Sequence, residues 1–268
     1  SINGTSVVAT HPRISRGVLS VGGGTVVDAI ATIKDDGTGT IFNNDGTPDT
    51  ATTKDDDRAL TVDSITVNEG SPYAVFTVTA NIGQTMTLAL GNGTAGPGDG
   101  TLTDGTQDYK PALEYWNGSA WVAYTAGFTV PGTANAAVSL YVRIAVTNDT
   151  VFENAEDFKL TAAYTSGASR SATGVATIVD DGTGVVFGAA NTSGVPDAAA
   201  LLDDDRPLSV NSLTVNEGSP FAVFTVSGAP GQLASLALNN ASSTGLTGLQ
   251  YFDGSTWQAY SAGRVALD

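Results

Sequence analysis

Cysteine is absent from the 268 residues, so no disulfide and no thiolate metal site is there to brace the fold. Histidine occurs once, at His11. A single histidine cannot supply a Ser-His-Asp triad or a histidine metal site that recurs along a repetitive chain, and catalysis is not expected. Basic residues are scarce: 11 Lys and Arg stand against 27 Asp and Glu, a formal net charge of −16. That balance argues against a phosphate-backbone partner, so nucleic acid is not expected, and it disfavours anionic membrane surfaces. No apolar run approaches the roughly 18 residues that span a bilayer, so membrane insertion is not expected. Helical periodicity is missing as well, since apolar residues nowhere hold i, i+3, i+4, i+7 spacing over a dozen positions.

What the chain has is a long internal repeat. "LTVDSITVNEGSPYAVFTVT" at Leu60 to Thr79 returns as "LSVNSLTVNEGSPFAVFTVS" at Leu208 to Ser227, an offset of 208 − 60 = 148. "ATIKDDGTG" from Ala31 returns as "ATIVDDGTG" from Ala176, an offset of 145, and "DDDR" from Asp55 returns from Asp203. A unit of that length is a domain and not a solenoid turn. The repeat divides the chain into the C-terminal part of one unit (1–40), an acidic connector (41–59), one complete unit (60–187), a second connector (188–207) and the N-terminal half of a further unit (208–268).

Within the unit, apolar residues alternate, as in Ala74, Phe76 and Val78 or Leu140, Val142 and Ile144, and Gly-containing turns interrupt every ten or so residues. Period two means half-buried strands, so the fold class expected is all-β, a sandwich. Val75, Phe76, Val78, Leu88, Leu140, Val142, Ile144, Phe158, Leu160 and Ile178 are the expected core. Alternation forbids Val75 and Phe76 from sharing a face, and parity with Ala74 and Val78 favours Phe76 as the inward one. "YWNGSAWVAY" predicts a hairpin closed by a two-residue type I′ turn at Asn117 and Gly118, with Asp253 and Gly254 in its copy.

The carboxylates are unevenly placed. Five glutamates occur among the 27 acids, and Glu69, Glu153, Glu156 and Glu217 lie beside presumed turns. They collect with aspartates in "VNEGS", "TNDTVFENAEDF", "IVDDG" and "DDDR". Clustered carboxylates repel unless a cation neutralises them, and Ca2+ takes six to eight loop oxygens. The alternative is that each Asp caps nearby backbone amides in its own turn.

The order "NEGSPYAVFTV", then "GNGTAG" and "QDY", then "NDTVFENAEDFKL", then "ATIVDDG" resembles the Calx-beta module, in the arrayed form found in giant bacterial adhesins and repeats-in-toxin surface proteins. The resemblance implies tandem seven-stranded immunoglobulin-like sandwiches with calcium at one end, near the junction with the next module. Its ligands would fall on Glu69, Asn92, Asn148, Asp149, Glu153, Glu156, Asp180 and Asp181. Asn92, Asn148 and Gly182 stand where strong binders often carry carboxylates, so a structural Ca2+ site is expected and not a sensor. Asp55 to Asp57 and Asp203 to Asp205 would instead bridge modules across the connectors.

The expected function is therefore that of an extracellular, bacterial cell-surface protein, a stiff rod or filament of calcium-stabilised modules whose partners are adjacent modules or copies of itself. The competing reading is a calcium-regulated or carbohydrate-binding module for a cell-surface or glycan ligand, with Trp116, Trp121 and Tyr124 and their copies Phe252, Trp257 and Tyr260 as the aromatic face. Two arrangements would complete the half-units: strand addition from another copy, using apolar stretches within Ser1 to Ile33, or residues continuing the chain.

Overall fold

A computed structural model of the chain describes residues 17–19, 27–29, 31–98, 100–102, 104–132, 136–239 and 248–268. His11 and the stretch Ser6 to Thr10 lie outside the described residues, as does most of Arg13 to Ser20. The described residues form strands and turns without a helix, and none of the structure is a helix long and apolar enough to cross a membrane.

Four short strands come first. β1 (Gly17–Leu19) pairs with β2 (Val27–Ala29), and β3 (Ile41–Phe42) pairs with β4 (Pro48–Asp49), both antiparallel. The complete repeat unit then supplies ten strands: β5 (Leu60–Val62), β6 (Ile65–Asn68), β7 (Tyr73–Asn81), β8 (Thr85–Gly91), β9 (Tyr109–Trp116), β10 (Trp121–Ala123), β11 (Phe128–Thr129), β12 (Ala137–Val146), β13 (Glu156–Tyr164) and β14 (Arg170–Val179). They make two five-stranded sheets, ordered β10-β9-β12-β7-β5 and β11-β8-β13-β14-β6. Every pair is antiparallel except β14 with β6. Ten strands exceed the seven expected because one run is split between the sheets as β5 and β6, and because β10 and β11 are short edge pieces.

The sheets face each other across one apolar core, as alternation dictates. Phe76 on β7 meets Phe158 on β13 edge-on, with centroids 6.1 Å apart, and Phe158 stacks on Tyr109 at 4.4 Å. Burial of each such side chain stabilises by roughly 1.5–3 kcal/mol. All ten residues expected in the core are buried. Val75 is buried by a different cover from Phe76. Opposite Val75 in the register stands Arg143, whose guanidinium lies over the rings of Tyr73 and Trp121. Over this second face folds the start of the following connector. Phe187 is buried and bridges to Tyr73, Arg143 Nη1 donates to the Ala189 carbonyl at 3.3 Å, and Trp121 Nε1 donates to the Asn191 carbonyl at 2.9 Å. Alternation identifies which face a side chain takes but not whether a later segment returns to cover it.

The β9–β10 hairpin forms where expected, with a different turn. Trp116 pairs with Trp121, leaving four loop residues in place of two, and Asn117 N–H donates to the Ala120 carbonyl at 3.1 Å. Gly118 has φ +97°, whereas no described non-glycine residue has positive φ, so Asn117 does not take the conformation a type I′ turn requires. Its side chain instead accepts from the amides of Ser119 and Ala120, both at 2.9 Å. The copy at Asp253 repeats this pattern.

Beyond the second connector the described strands are short pairs: β15 (Ser209–Val210) with β16 (Val226–Ser227), β17 (Leu233–Ala234) with β20 (Val265–Ala266), and β18 (Leu249–Phe252) with β19 (Trp257–Tyr260).

Candidate metal centre

One end of the sandwich gathers carboxylates from loops far apart in sequence. Glu69 follows β6, Asp180 follows β14, and Asp203 and Asp205 arrive from the connector. One oxygen from each of the four lies within 4.8 Å of the others. Oxygens coordinated to one Ca2+ at roughly 2.4 Å lie at most about twice that distance apart, so the spacing suits a single ion. Glu69 is 4 % exposed and Asp180 3 % exposed. Glu69 Oε1 accepts from the Asp149 amide at 2.8 Å, whereas Oε2 is buried with no hydrogen-bond partner. Asp205 Oδ2 is a second buried oxygen without a partner. An unpaired buried carboxylate oxygen is costly, and either a bound cation or a proton would relieve that cost.

Beside this cluster lies a second, formed by Asp108, Glu153 and Glu156, again within 4.8 Å of one another. A narrow cavity lined by Glu69, Asp108, Glu153, Glu156 and Asp180 joins the two. Burial pushes Glu69 up to about 8, helped by the charges of Asp180, Asp149 and Asp203 and opposed by the Asp149 amide. Asp180 is pushed up to about 6, first by burial and then by Asp205 and Asp203. Glu153 and Glu156 are raised together, by burial and by the neighbouring Asp108.

These shifts set the direction expected for the pH dependence of the metal-free protein. A carboxyl with a higher pKa in the folded chain holds its proton more tightly there, so its contribution is full below its ordinary value and is lost as pH rises through the raised one. Unfolding by urea in excess chelator should therefore show stability falling between about pH 4.5 and pH 8. A flat or rising profile would mean that the clustered carboxyls ionise without cost.

The expected ligands divide into three groups. Glu69, Asp180, Glu153 and Glu156 line the clusters. Asp149 is buried between them but committed to the backbone, with Oδ2 accepting from Gly105 at 2.9 Å and Oδ1 from Val151 at 2.8 Å. Its amide orients Glu69, which makes it a positioning residue. Asn148 is exposed and donates to the Asp203 carboxylate. Asn92 is exposed and outside the cavity lining, and Asp181 turns away to cap the Thr183 amide at 3.1 Å. Three further carboxylates complete the clusters: Asp108, for which the motif "QDY" was the available signal, and Asp203 and Asp205 of the connector.

The connector is held from both sides. Asn68 accepts from the Asp203 amide at 2.7 Å and donates to its carbonyl at 2.9 Å, and Asp180 accepts from the Asp205 amide at 3.0 Å. Asp204, between them, points the other way and takes a bidentate contact from Arg206, both bonds at 2.7 Å. Gln232 of the next unit then donates to the Arg206 carbonyl at 2.6 Å. Gly182, with φ +76°, permits this close approach, because a Cβ there would stand 2.9 Å from Asp204 Oδ2. The first joint repeats the scheme: Asp35, Asp55 and Asp57 cluster, and Asp56 faces Arg58 at 2.8 Å. Arg58 is buried over the Tyr164 ring and donates to Gln84 and to the carbonyls of Ser166 and Ala168.

The aromatic residues do not form a flat platform. Trp116 and Trp121 meet at 61°, Phe252 and Trp257 at 57°, and Tyr124 is tied by its hydroxyl to the Leu88 amide at 3.0 Å. In comparisons with known proteins, the chain matches no protein-family model and no curated relative.

Proposed function

We propose that the chain belongs to an extracellular structural protein, a stiff rod of tandem immunoglobulin-like modules of the Calx-beta kind stabilised by Ca2+ at their junctions. The observation that carries the reading is the buried, unpartnered Oε2 of Glu69, set among Asp180, Asp203 and Asp205. Two of those four carboxylates belong to the sandwich's own loops at the end of β6 and β14, and two belong to the connector. An ion held there ties the connector to the module it leaves and restricts bending toward the next. Such sites suit the millimolar calcium outside cells, where extracellular modules bind in the range of about 10⁻⁴–10⁻³ M.

Small-angle scattering of the chain tests this. In millimolar Ca2+ the maximum dimension should be longer and the distance distribution narrower than in excess chelator. Identical profiles would leave the ion without a mechanical role. The carbohydrate-binding reading gains no support from the ring geometry, because Trp121 is occupied by Arg143 on its face and by the Asn191 carbonyl at its edge.

A further inference from the structure

Each joint closes on itself. Past β14 the chain turns at Gly182, runs through residues 183–202 and returns to Asp203 beside the point it left, where the Gly182 amide donates to the Asp203 carbonyl at 3.0 Å. Asn68, fully buried at the end of β6, fastens both ends of this excursion. Its Nδ2 donates to the carbonyls of Thr183 and Asp203, both at 2.9 Å, and its Oδ1 accepts from the Asp203 amide at 2.7 Å. The first joint repeats the closure around residues 38–54. There the Gly37 amide donates to the Asp55 carbonyl at 2.9 Å, and the Asp57 amide donates to Asp35 as that of Asp205 donates to Asp180. Both excursions are loops whose ends touch, hung on the side of the joint. Along its length the second is held to the sandwich flank by the bridges of Val185 to Val67 and Phe187 to Tyr73, and by the bonds from Arg143 and Trp121.

We propose that these loops give the chain a further mechanical function, as stores of folded length that are released under tension before a sandwich unfolds. The inference rests on the rod reading above for the load, but not on calcium. A pull arriving through Arg206 and Asp205 enters the central sandwich at Asn68, Gly182 and Asp180, so residues 183–202 carry no load while that clamp holds. Once it opens, the loop lies in the line of the pull, and its attachments are loaded one after another from Leu202 back toward Val185. The sandwich resists differently. β6 and β14 are parallel neighbours paired from Ile65 with Ala176 to Asn68 with Val179, so a pull on the two ends of the unit slides one strand along the other and loads these bonds together. Bonds loaded singly fail at lower force than bonds loaded together, which puts the loop first. Gly182 and Asp203 are 203 − 182 = 21 links apart. Extended, those links reach roughly 70 Å against roughly 5 Å across the closed joint, a gain of about 65 Å. The first joint, with 55 − 37 = 18 links, would release about 55 Å.

The test is single-molecule stretching of the full-length chain. Because the chain has no cysteine, Thr53→Cys and Ser209→Cys, both at exposed positions, attach the handles on either side of the central sandwich and its loop. The trace should show a first gain of about 65 Å at low force, followed by the larger gain of the sandwich at higher force. Inserting eight Gly and Ser residues between Ala200 and Leu201 should lengthen the first gain by roughly 27 Å and leave the second unchanged. The maximum dimension of the unstretched particle should stay the same. Asn68→Ala should lower the force of the first event. A trace without the early gain, an insertion whose length appears only when the sandwich unfolds, or an insertion that lengthens the unstretched particle would each overturn the proposal. Repeating the pull in millimolar Ca2+ and in excess chelator separates the two readings: an early gain whose force ignores calcium counts against an ion at the joint and leaves the length store standing, whereas its absence in both buffers removes the store and leaves the rod to the scattering test.

Discussion

Glu69→Gln should melt above the wild-type chain in excess chelator and below it in millimolar calcium. Without an ion, folding at neutral pH forces a carboxyl whose pKa is pushed up to about 8 into a buried cluster with Asp180, Asp203 and Asp205. The amide of glutamine keeps the Oε1 acceptor for Asp149 and carries no charge to neutralise. Removing that penalty should raise metal-free stability by on the order of 2 kcal/mol at pH 7, an advantage that vanishes below about pH 4.5. With calcium the order reverses, because the variant lacks a charged ligand. An ion present at about 100 times its dissociation constant contributes about 2.7 kcal/mol, and weakening its site forfeits much of that. Differential scanning calorimetry of both proteins in both buffers gives four melting temperatures. A wild-type melt that calcium does not move, or a variant that responds to calcium as the wild type does, removes Glu69 from any metal site.

Arg58→Ala should cost the central sandwich about 3–5 kcal/mol in urea unfolding, the largest loss expected from any single connector residue. Arg58 is 2 % exposed. It satisfies Asp56 through two bonds, reaches Gln84, Ser166 and Ala168, and lies 4.8 Å from the Tyr164 ring centroid. Truncation removes the donor to a carboxylate and to the carbonyls of Asp36, Ser166 and Ala168. Arg58→Lys retains the charge but cannot reproduce the planar fork, so it should recover only part of the loss. The equivalent Arg206, with 19 % of its side chain exposed, should cost clearly less when truncated. If Arg58→Ala lowers stability by under about 1 kcal/mol, the joint does not depend on the arginine.

Period-two alternation made the sandwich core legible in the sequence, because each strand pairs with neighbours that share its parity. Phe76, Val142 and Phe158 needed no further information. The cover over Val75 was not legible, since it depends on a connector more than a hundred residues downstream folding back on β7. The same limit applies to the acidic end. Motif position pointed to Glu69, Asp180, Glu153 and Glu156, but Asp181 lies one residue from Asp180 and faces its own turn, and only the register of β14 separates the two. Asp203 meets Glu69 across 133 intervening positions, through Asn68, whose side chain grips the Asp203 backbone. The turn at Asn117 was misread because Asn-Gly suits several loop lengths, and the pairing of Trp116 with Trp121 decides which one forms.

The alternation within "DDDR" carries a consequence for how such a chain can change length. Odd members of the triplet face the unit behind, and the even member and the arginine face the unit ahead. Inserting or deleting one residue inside it would exchange the two sides and bring the arginine onto the carboxylate cluster. The two copies obey this parity: from Gly39 to Asp55 is a step of 16, and from Gly184 to Asp203 a step of 19, so the second connector's three extra residues all fall ahead of the triplet. Drift in repeat length is thereby channelled into the loop that packs on the sandwich flank, while the four residues of "DDDR" keep their spacing.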